Sequence, residues 1–224
     1  MARFRRLETL RAILDDGLLP LFYNSDPGVA FEVAKACSEG GARALEFTNR
    51  GDHANRVFED LVVRCASEAP RLILGVGSIG DPYTAALYLA AGANFIVGPS
   101  FNPDVARLAN RRKVPYIPGC GSVTEIAQAE ELGSEIVKMF PGDAVGGPEF
   151  LKAVLGPSPW SSILPTGGID ARAESIREWI RAGAAALGMG SKLISKDLVE
   201  RKDWGKLRGR VEEVLVWIKE ARAR

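Results

Sequence analysis

One lysine of this sequence stands inside an apolar, β-branched segment, where a chain normally avoids a charge. Lys138 follows Ile136 and Val137 and precedes Met139 and Phe140. Burial disfavours the ammonium form of a lysine, and the neutral amine is a nucleophile. The segment therefore indicates an amine that attacks an electrophilic carbon. The alternative is a lysine at a strand end that extends its amine into water.

A repeated spacing relates this lysine to a glutamate. Gly-Ala or Gly-Ser pairs open four apolar runs, and the fifth residues after their glycines are Glu46, Val97, Lys138 and Gly188. Alternate residues of a strand point to one side, so in a closed barrel these four positions would lie in one layer. Glu46 would then face Lys138 as a candidate proton carrier. The alternative for Glu46 is an ordinary salt bridge.

Arg50 and His53 follow Glu46 in the same loop and differ in what they predict. The guanidinium of Arg50 can hold a carboxylate through two parallel hydrogen bonds. His53 is the only histidine, and we expect it at the surface or behind the site. Its isolation argues against histidine-dependent catalysis and against metal sites built on histidine.

Two glycine-containing segments predict a phosphate site. Thr166, Gly167 and Gly168 follow one apolar run, and Gly190 and Ser191 follow the next. Glycines let backbone N–H groups approach an anion, and a following helix adds its dipole. A single Gly-Gly more often only permits a tight turn. Two such loops on adjacent strands favour phosphate, because barrels frequently bind it after strands seven and eight.

Short apolar runs alternate with amphipathic segments along the chain, the pattern of parallel strands joined by helices. The runs are 18–22, 44–47, 72–76, 95–97, 116–118, 136–140, 162–165 and 185–188. The helical stretches lie near 28–40, 55–68, 82–91, 102–112, 122–132, 147–155 and 172–182. This alternation predicts an α/β (β/α)8 TIM barrel with its chemistry at the C-terminal ends of the strands. A doubly wound open sheet fits the same alternation.

Two further helices are predicted at the ends of the sequence. Phe4, Leu7, Leu10 and Leu14 have helical spacing and would close the bottom of the barrel. The corresponding residues of a C-terminal helix are Leu207, Val211, Val214, Leu215 and Ile218. Residues 1–224 show no linker, so we expect one barrel domain.

The composition of the sequence limits the kinds of binding partner and the cellular compartment that we expect. Lys and Arg number 29 against 28 for Asp and Glu, so we expect small-molecule partners, no nucleic acid and no membrane. Cys37, Cys65 and Cys120 are odd in number and lack metal-ligand spacing, which favours a reducing compartment and no metal. The apolar region 85–97 is too short to span a bilayer. We expect a soluble, cytoplasmic protein.

Five motifs together resemble the 2-keto-3-deoxy-6-phosphogluconate (KDPG) and 4-hydroxy-2-oxoglutarate aldolase family. They are Glu46-Phe47-Thr48-x-Arg50, Lys138-Met139-Phe140-Pro141, Gly146-Gly147-Pro148-x-x-Leu151-Lys152-Ala153, Pro165-Thr166-Gly167-Gly168-Ile169 and Gly188-x-Gly190-Ser191. They keep their order from about residue 18 to residue 191. The resemblance implies a homotrimeric class I lyase of the Entner–Doudoroff pathway that forms a lysine imine with its substrate and needs no cofactor.

The same resemblance implies roles for individual residues. Lys138 matches the Schiff-base lysine, Glu46 the general acid/base and Arg50 a carboxylate-binding residue. Ser78 stands where the family usually has a threonine. The matching pocket and phosphate positions are Pro99, Phe140, Thr166, Gly167, Gly168, Gly190 and Ser191. Four segments depart from the family. Gly98-Pro99-Ser100 replaces the common Ser-Pro-Gly, Pro141-Gly142-Asp143 replaces the common Pro-Ala-Glu, and the loop 49–53 and the tail beyond about Asp197 also differ.

The implied reaction cleaves a 2-keto-3-deoxy-6-phospho sugar acid to pyruvate and glyceraldehyde 3-phosphate. The gluconate derivative, its galactonate epimer and 4-hydroxy-2-oxoglutarate all remain candidate substrates. Two other classes stay open, because a fold does not dictate a function. A phosphosugar isomerase or epimerase would use Glu46 and the glycine loops without the lysine. A non-catalytic sugar-acid-binding or assembly protein would bind pyruvate without a covalent adduct.

Overall fold

The computed structural model describes residues 2–223, in which helices alternate with short strands. The helices of this range are α1 (Arg6–Asp16), α2 (Pro27–Glu39), α3 (Ala54–Glu68), α4 (Pro82–Ala91), α5 (Pro103–Arg112), α6 (Val123–Glu131), α7 (Gly147–Leu155), α8 (Ala173–Arg181), α9 (Lys196–Glu200) and α10 (Trp204–Arg222). The strands are β1 (Leu18–Phe22), β2 (Ala44–Thr48), β3 (Ile73–Gly77), β4 (Ile96–Val97), β5 (Tyr116–Ile117), β6 (Gly119–Cys120), β7 (Val137–Met139), β8 (Ile163–Pro165) and β9 (Leu187–Met189). The short helix α9 was not predicted.

The described strands pair in two parallel sheets rather than in one continuous barrel. Their order is β5-β4-β3-β2-β1-β9 in the larger sheet and β6-β7-β8 in the smaller one. The predicted fifth strand divides at Pro118, because a proline has no N–H to donate to a strand ladder. Strands β8 and β9 form no continuous ladder and are linked by a bridge between Thr166 and Gly188. The architecture is an α/β fold with curled parallel sheets.

Local sequence signals determine where α2, α4 and α5 begin. Each helix has a proline in its first turn, where the missing N–H has no helical partner to lose. Asp26, Asp81 and Asn102 precede these prolines and cap the helices through their side chains. The caps hold the loops that follow β1, β3 and β4, at the edge where the candidate site lies.

An inner apolar cluster fills the space between the strands and α1. Its buried members are Leu10, Ala12, Ile13, Leu19, Ala44, Ile73, Phe95, Val97, Ile117, Ile136, Leu164 and Ala186. Helix α1 contributes Leu10 and Ile13 and so covers the N-terminal ends of the strands. The predicted apolar face of this helix was wrong at Leu7, which is 76% exposed. Phe4 precedes the helix, but it packs against the inner cluster as predicted, and so does Leu14.

A second cluster lies between the sheets and the surrounding helices. Helix α10 adds five buried residues to it, namely Leu207, Val211, Val214, Ile218 and Ala221. The first four are residues of the predicted C-terminal helix, and Leu215 packs at the edge of the same cluster. No helix within residues 2–223 is both long enough and apolar enough to cross a membrane.

The two ends of the described chain meet at β1. On one edge β1 pairs with β2, and on the other with β9, where Leu18 is opposite Leu187. The guanidinium of Arg222 at the end of α10 donates to the carbonyls of Asp15 at 2.8 Å and Leu14 at 2.9 Å, and also to that of Ala185. The last helix is therefore attached to both α1 and the strand that completes the larger sheet.

Candidate active site

Glu46 on β2 and Lys138 on β7 are both buried, with 1% and 5% of their surface exposed. Two residues earlier in the chain, Ala44 of β2 and Ile136 just before β7 belong to the inner cluster. Because alternate strand residues point the same way, Glu46 and Lys138 point into the same interior, one layer nearer the C-terminal ends of the strands. The structure thus brings together the two side chains that the repeated spacing singled out.

The environment of Glu46 suits a carboxyl that carries a proton. Burial raises the pKa of Glu46 above its ordinary value of 4.5, and the charges of Lys138 and Arg50 lower it without cancelling the rise. Gly77 on β3 makes room for the side chain, because a Cβ there would overlap the Glu46 carboxylate. A raised carboxyl pKa is a common property of groups that act as both acid and base.

The amine of Lys138 lies beside an aromatic ring. Its Nζ is 4.8 Å from the ring centroid of Phe140, which is itself half-buried. Within residues 2–223, no nitrogen–oxygen distance between Lys138 and Glu46 is 4.0 Å or less, yet the lysine charge lowers the pKa of the carboxyl. The two groups are therefore electrostatic neighbours without a direct ion pair.

Pro99 lies in the exposed loop after β4 and reaches the strand next to Lys138. Gly119 of β6 is paired with Lys138, and a Cβ on that glycine would overlap the carbonyl group of Pro99. The close approach of the two backbones therefore requires glycine at position 119. It places Pro99 against the strand residue that pairs with Lys138.

Arg50 and Ser78 come from adjacent loops and contact each other. The Arg50 Nε donates to the Ser78 hydroxyl over 3.4 Å, and Ser78 has a left-handed backbone with φ 61°. Because the charge of Arg50 also lowers the pKa of Glu46, the guanidinium and the buried carboxyl occupy one region. Arg50 is exposed, so its guanidinium is accessible from solution.

Arg50 also lines a cleft of about 480 Å³ together with Gly190 and Ser191. This cleft joins the carboxylate-binding candidate to one of the two predicted phosphate loops. Tyr23 and Lys196 line it as well, and neither was predicted. Tyr23 directly follows β1. Its position at the C-terminal end of a strand is the signal that would have identified it as a site residue.

The second predicted phosphate loop follows β8. Thr166 is buried, and its Oγ1 has no hydrogen-bond partner within the described residues. This hydroxyl lies above Gly188, where a Cβ would overlap it. Gly167 and Gly168 have φ values of 98° and 75°, a region that favours glycine. The loop therefore combines a buried hydroxyl that lacks a partner with two glycines whose conformation disfavours a side chain.

Asp143 contacts this loop, and the sequence pattern did not reveal the contact. A Cβ on Gly168 would lie 2.7 Å from the Cγ of Asp143. In the same segment the N–H of Gly142 donates to the carbonyl of Thr166 at 2.8 Å. The segment after β7 therefore supports the loop after β8. No local pattern indicates this contact, because the partners are about 25 residues apart.

The remaining reactive side chains lie apart from this cluster. His53 is exposed and has a left-handed backbone before α3. Cys37, Cys65 and Cys120 are buried and unpaired, and burial raises the pKa of each thiol to about 12. Within residues 2–223, no three His, Cys, Asp or Glu side chains are grouped so that they could hold a metal ion.

Comparisons with known proteins agree on one family. The family described as KDPG and KHG aldolase matches residues 12–209. The 2-dehydro-3-deoxy-phosphogluconate aldolase of Pseudomonas aeruginosa is 32% identical over 198 residues, or 88% of this chain and 87% of that protein. The KHG/KDPG aldolase of Escherichia coli K12 is 32% identical over 178 residues, which cover 80% and 81% of the two chains.

A solved structure extends the similarity to the whole fold. The KDPG aldolase of Legionella pneumophila, in which pyruvate was captured as a covalent carbinolamine, has a TM-score of 0.82 and 26% identity. The alignment covers 91% of this chain and 96% of that one. On the strength of the matched residues and these relatives, the chain belongs to the KDPG and KHG aldolase family.

Proposed function

We propose that this protein is a class I aldolase that cleaves 2-keto-3-deoxy-6-phospho sugar acids through an imine on Lys138. One observation carries the proposal: a buried amine and a carboxyl of raised pKa point into the same interior. The covalent pyruvate adduct of the Legionella pneumophila relative supports the same chemistry. An amine nucleophile of this kind acts without a cofactor.

The first half of the reaction breaks a carbon–carbon bond. The amine of Lys138 attacks the C2 carbonyl carbon of the substrate, and loss of water leaves an iminium. Glu46, directly or through one water, takes the proton of the C4 hydroxyl. The electron pair of the C3–C4 bond moves toward the iminium nitrogen. The aldehyde product leaves, and an enamine stays attached to the lysine.

The second half releases pyruvate. Glu46 returns its proton to C3 of the enamine, which regenerates an imine. Water then attacks the imine carbon and frees both pyruvate and the Lys138 amine. One carboxyl thus acts first as base and then as acid, and its raised pKa supports this exchange of roles.

Two groups hold the pyruvate half of the substrate in this proposal. Arg50 binds the C1 carboxylate through its guanidinium, and the Ser78 hydroxyl completes the site. Their mutual contact of 3.4 Å supports a shared ligand. Phe140 and Pro99 border the same pocket. Fixing the carboxylate places the ketone beside the amine and lowers the entropic cost of the attack.

The glycine loops hold the other end of the substrate. Thr166, Gly167 and Gly168 together with Gly190 and Ser191 form the phosphate site in this proposal. The unpaired Thr166 hydroxyl and the exposed position of Ser191 support it. The second product is then glyceraldehyde 3-phosphate. The same amine chemistry applies to 4-hydroxy-2-oxoglutarate, which would yield glyoxylate.

Borohydride reduction in the presence of pyruvate tests the proposed function. We expect one reduced pyruvyl group per chain, located on Lys138 by intact mass and peptide mapping. Lys138→Arg should form no adduct and abolish turnover, because a guanidinium keeps the charge but cannot form the imine. Lys152→Arg, at an exposed lysine of α7, is the matched control and should behave as wild type. An adduct on Lys113 or Lys152, or no adduct, would contradict the proposal.

We further propose that residues 1–224 form one closed (β/α)8 barrel domain. Continuity at both junctions between the two sheets supports closure. Pro118 joins β5 of the larger sheet directly to β6 of the smaller one, and its carbonyl accepts a hydrogen bond of 2.9 Å from the N–H of Lys138. At the other junction, the N–H of Ala185 donates to the carbonyl of Ile163 at 2.9 Å. The bridge between Thr166 and Gly188 lies at this second junction.

We also propose that the protein is a cytoplasmic homotrimer. The outer face of α4 supports association, because Tyr83 and Leu87 are one helical turn apart and both exposed, at 85% and 47%. Exposed apolar residues that share a face are typical of interfaces. The unpaired cysteines support a reducing compartment.

A further inference from the structure

The loop that carries Arg50 is held at a residue that the proposed reaction does not use. Tyr88 on α4 is buried, and its hydroxyl donates a hydrogen bond of 2.9 Å to Oδ1 of Asn49. Asn49 directly precedes Arg50, and its backbone N–H donates to the carbonyl of Gly77 at 2.9 Å. A side-chain bond and a backbone bond therefore fix Asn49 between α4 and β3.

The next two residues of the loop are also restrained. The N–H of Arg50 donates to the carbonyl of Thr48 at 2.9 Å. The hydroxyl of Tyr23 lies so close to Gly51 that a Cβ there would overlap it. Each of these three consecutive residues therefore has a restraint of its own. The backbone of Arg50 is held in one position, and its side chain extends from there to Ser78.

Tyr88 is suited to donate this hydrogen bond permanently. Burial, together with the neighbouring Tyr23, raises the pKa of Tyr88 to about 12, so its phenol stays protonated at physiological pH. The ring of Phe58 packs edge-on against that of Tyr88, with centroids 5.2 Å apart. Within the described residues, the one acceptor of this hydroxyl is the Asn49 amide. The hydroxyl of Tyr88 therefore stabilises the Arg50 loop and makes no hydrogen bond within the core.

We propose that Tyr88, acting through Asn49, is a positioning residue that holds the Arg50 guanidinium where it binds the carboxylate of the 2-keto acid. The inference rests on the proposed function, because that function assigns Arg50 to this carboxylate. Loss of the hydroxyl leaves Lys138 and Glu46 in place but lets the loop relax. The usual net contribution of one hydrogen bond predicts binding weaker by about three- to tenfold.

The experiment measures the pyruvate concentration that gives half-maximal borohydride trapping, together with kcat and KM for aldol cleavage. Tyr88→Phe removes only the hydroxyl. We expect the half-maximal concentration and KM to rise about three- to tenfold, while kcat and the maximal extent of trapping stay near wild type. Asn49→Ala should give the same shift, and the double variant no more than either single change. In an Arg50→Ala background, Tyr88→Phe should have no further effect.

Two control variants separate positioning from a general loss of structure. Ser67→Ala removes an exposed hydroxyl from α3, the helix that follows the loop, and Ile218→Val weakens the packing of α10 far from the loop. Both should keep the wild-type half-maximal concentration. An unchanged KM in Tyr88→Phe, or a further loss in the Arg50→Ala background, would overturn the inference while leaving the aldolase assignment intact. A wild-type protein that traps no pyruvate would overturn the proposed function and this inference with it.

Discussion

Glu46 is a carboxyl held away from water on a strand, and its burial has a chemical and an energetic consequence. The raised pKa suits a group that accepts and returns a proton in one catalytic cycle. The same burial makes the ionised form unfavourable in the folded state. The folded protein would therefore be more stable if the residue proposed for proton transfer were neutral.

Glu46→Gln tests the chemical consequence. The amide is nearly isosteric and leaves Lys138 able to form its imine, but it cannot take or return a proton. We expect exchange of the pyruvate C3 hydrogens in deuterated water to fall by roughly 10²–10⁴-fold. NMR spectroscopy measures the exchange, and borohydride trapping checks that the imine still forms. Near wild-type exchange would mean that another group is the base.

The same variant tests the energetic consequence. Because the folded-state pKa of Glu46 lies above 4.5, the folded protein binds more protons than the unfolded chain between these two values. The free energy of unfolding therefore falls as pH rises through this window, and the loss persists at neutral pH. We expect Glu46→Gln to melt at a higher temperature than wild type at pH 7.

This difference in Tm should shrink as pH falls toward 4.5, where the wild-type carboxyl becomes protonated in both states. Thermal melting of both proteins at several pH values measures it. Glu149→Gln, at an exposed carboxylate on α7, controls for the removal of one negative charge. If Glu46→Gln were less stable than wild type at pH 7, the attraction of ionised Glu46 to Lys138 and Arg50 would stabilise the fold by more than the burial of its charge destabilises it.

At the scale of helices and strands, local signals were sufficient for most boundaries. Helices α2 to α8 begin and end within one or two residues of the predicted stretches, because caps and first-turn prolines such as Asp26 and Pro103 act locally. Pro118 is a local signal too, and the prediction did not use it. The exposure of Leu7 was missed for another reason, since helical spacing predicts a face but not its orientation toward the core.

Contacts between distant segments could not be predicted in this way. The hydrogen bond from Tyr88 to Asn49 joins residues 39 positions apart, and the packing of Asp143 on Gly168 joins two separate loops. Hydrophobic period and turn chemistry are properties of adjacent residues, so neither contact leaves a pattern in the sequence. Glu46 and Lys138 could be related because the strand repeat itself is long-range.

The two glycine loops differ as targets for mutation. A Cβ on Gly190 would meet a terminal methyl of Leu21 at 3.2 Å, a tight contact that a small shift of this flexible side chain relieves. Gly190→Ala should therefore fold normally and raise KM for the phosphorylated substrate by about tenfold, the effect of losing roughly 1.4 kcal/mol of binding. For 4-hydroxy-2-oxoglutarate the rise should be much smaller, because its tail ends in a carboxylate. Equal losses of kcat/KM for both substrates would contradict the phosphate assignment.

Gly168→Ala should instead lower the stability of the fold. Its φ of 75° is unfavourable for alanine, and the new Cβ would approach the Asp143 side chain too closely. Backbone strain of this kind costs about 1–3 kcal/mol, which thermal melting will record as a lower Tm. An unchanged Tm would show that the segment after β7 moves aside without cost.

At the scale of the whole molecule, the exposed face of α4 predicts association. Sedimentation equilibrium should give a mass three times the 24.1 kDa of one chain. Leu87→Glu should shift the protein toward lower mass, because a carboxylate in an apolar interface must be desolvated. Val216→Glu, at a residue of α10 that is 53% exposed, is the matched control and should leave the mass unchanged. A wild-type monomer would contradict the trimer.

The position of β1 between β2 and β9 has a consequence for synthesis on the ribosome. Leu18 emerges well before its partner on β9, Leu187, because strands β2 to β8 lie between them in the chain. Until then one edge of an entirely apolar strand lacks its neighbour, and unpaired edges of this kind recruit other chains. A nascent chain that stalls before β9 is therefore expected to need a chaperone, and release of residues 187–189 is the step that ends this vulnerability.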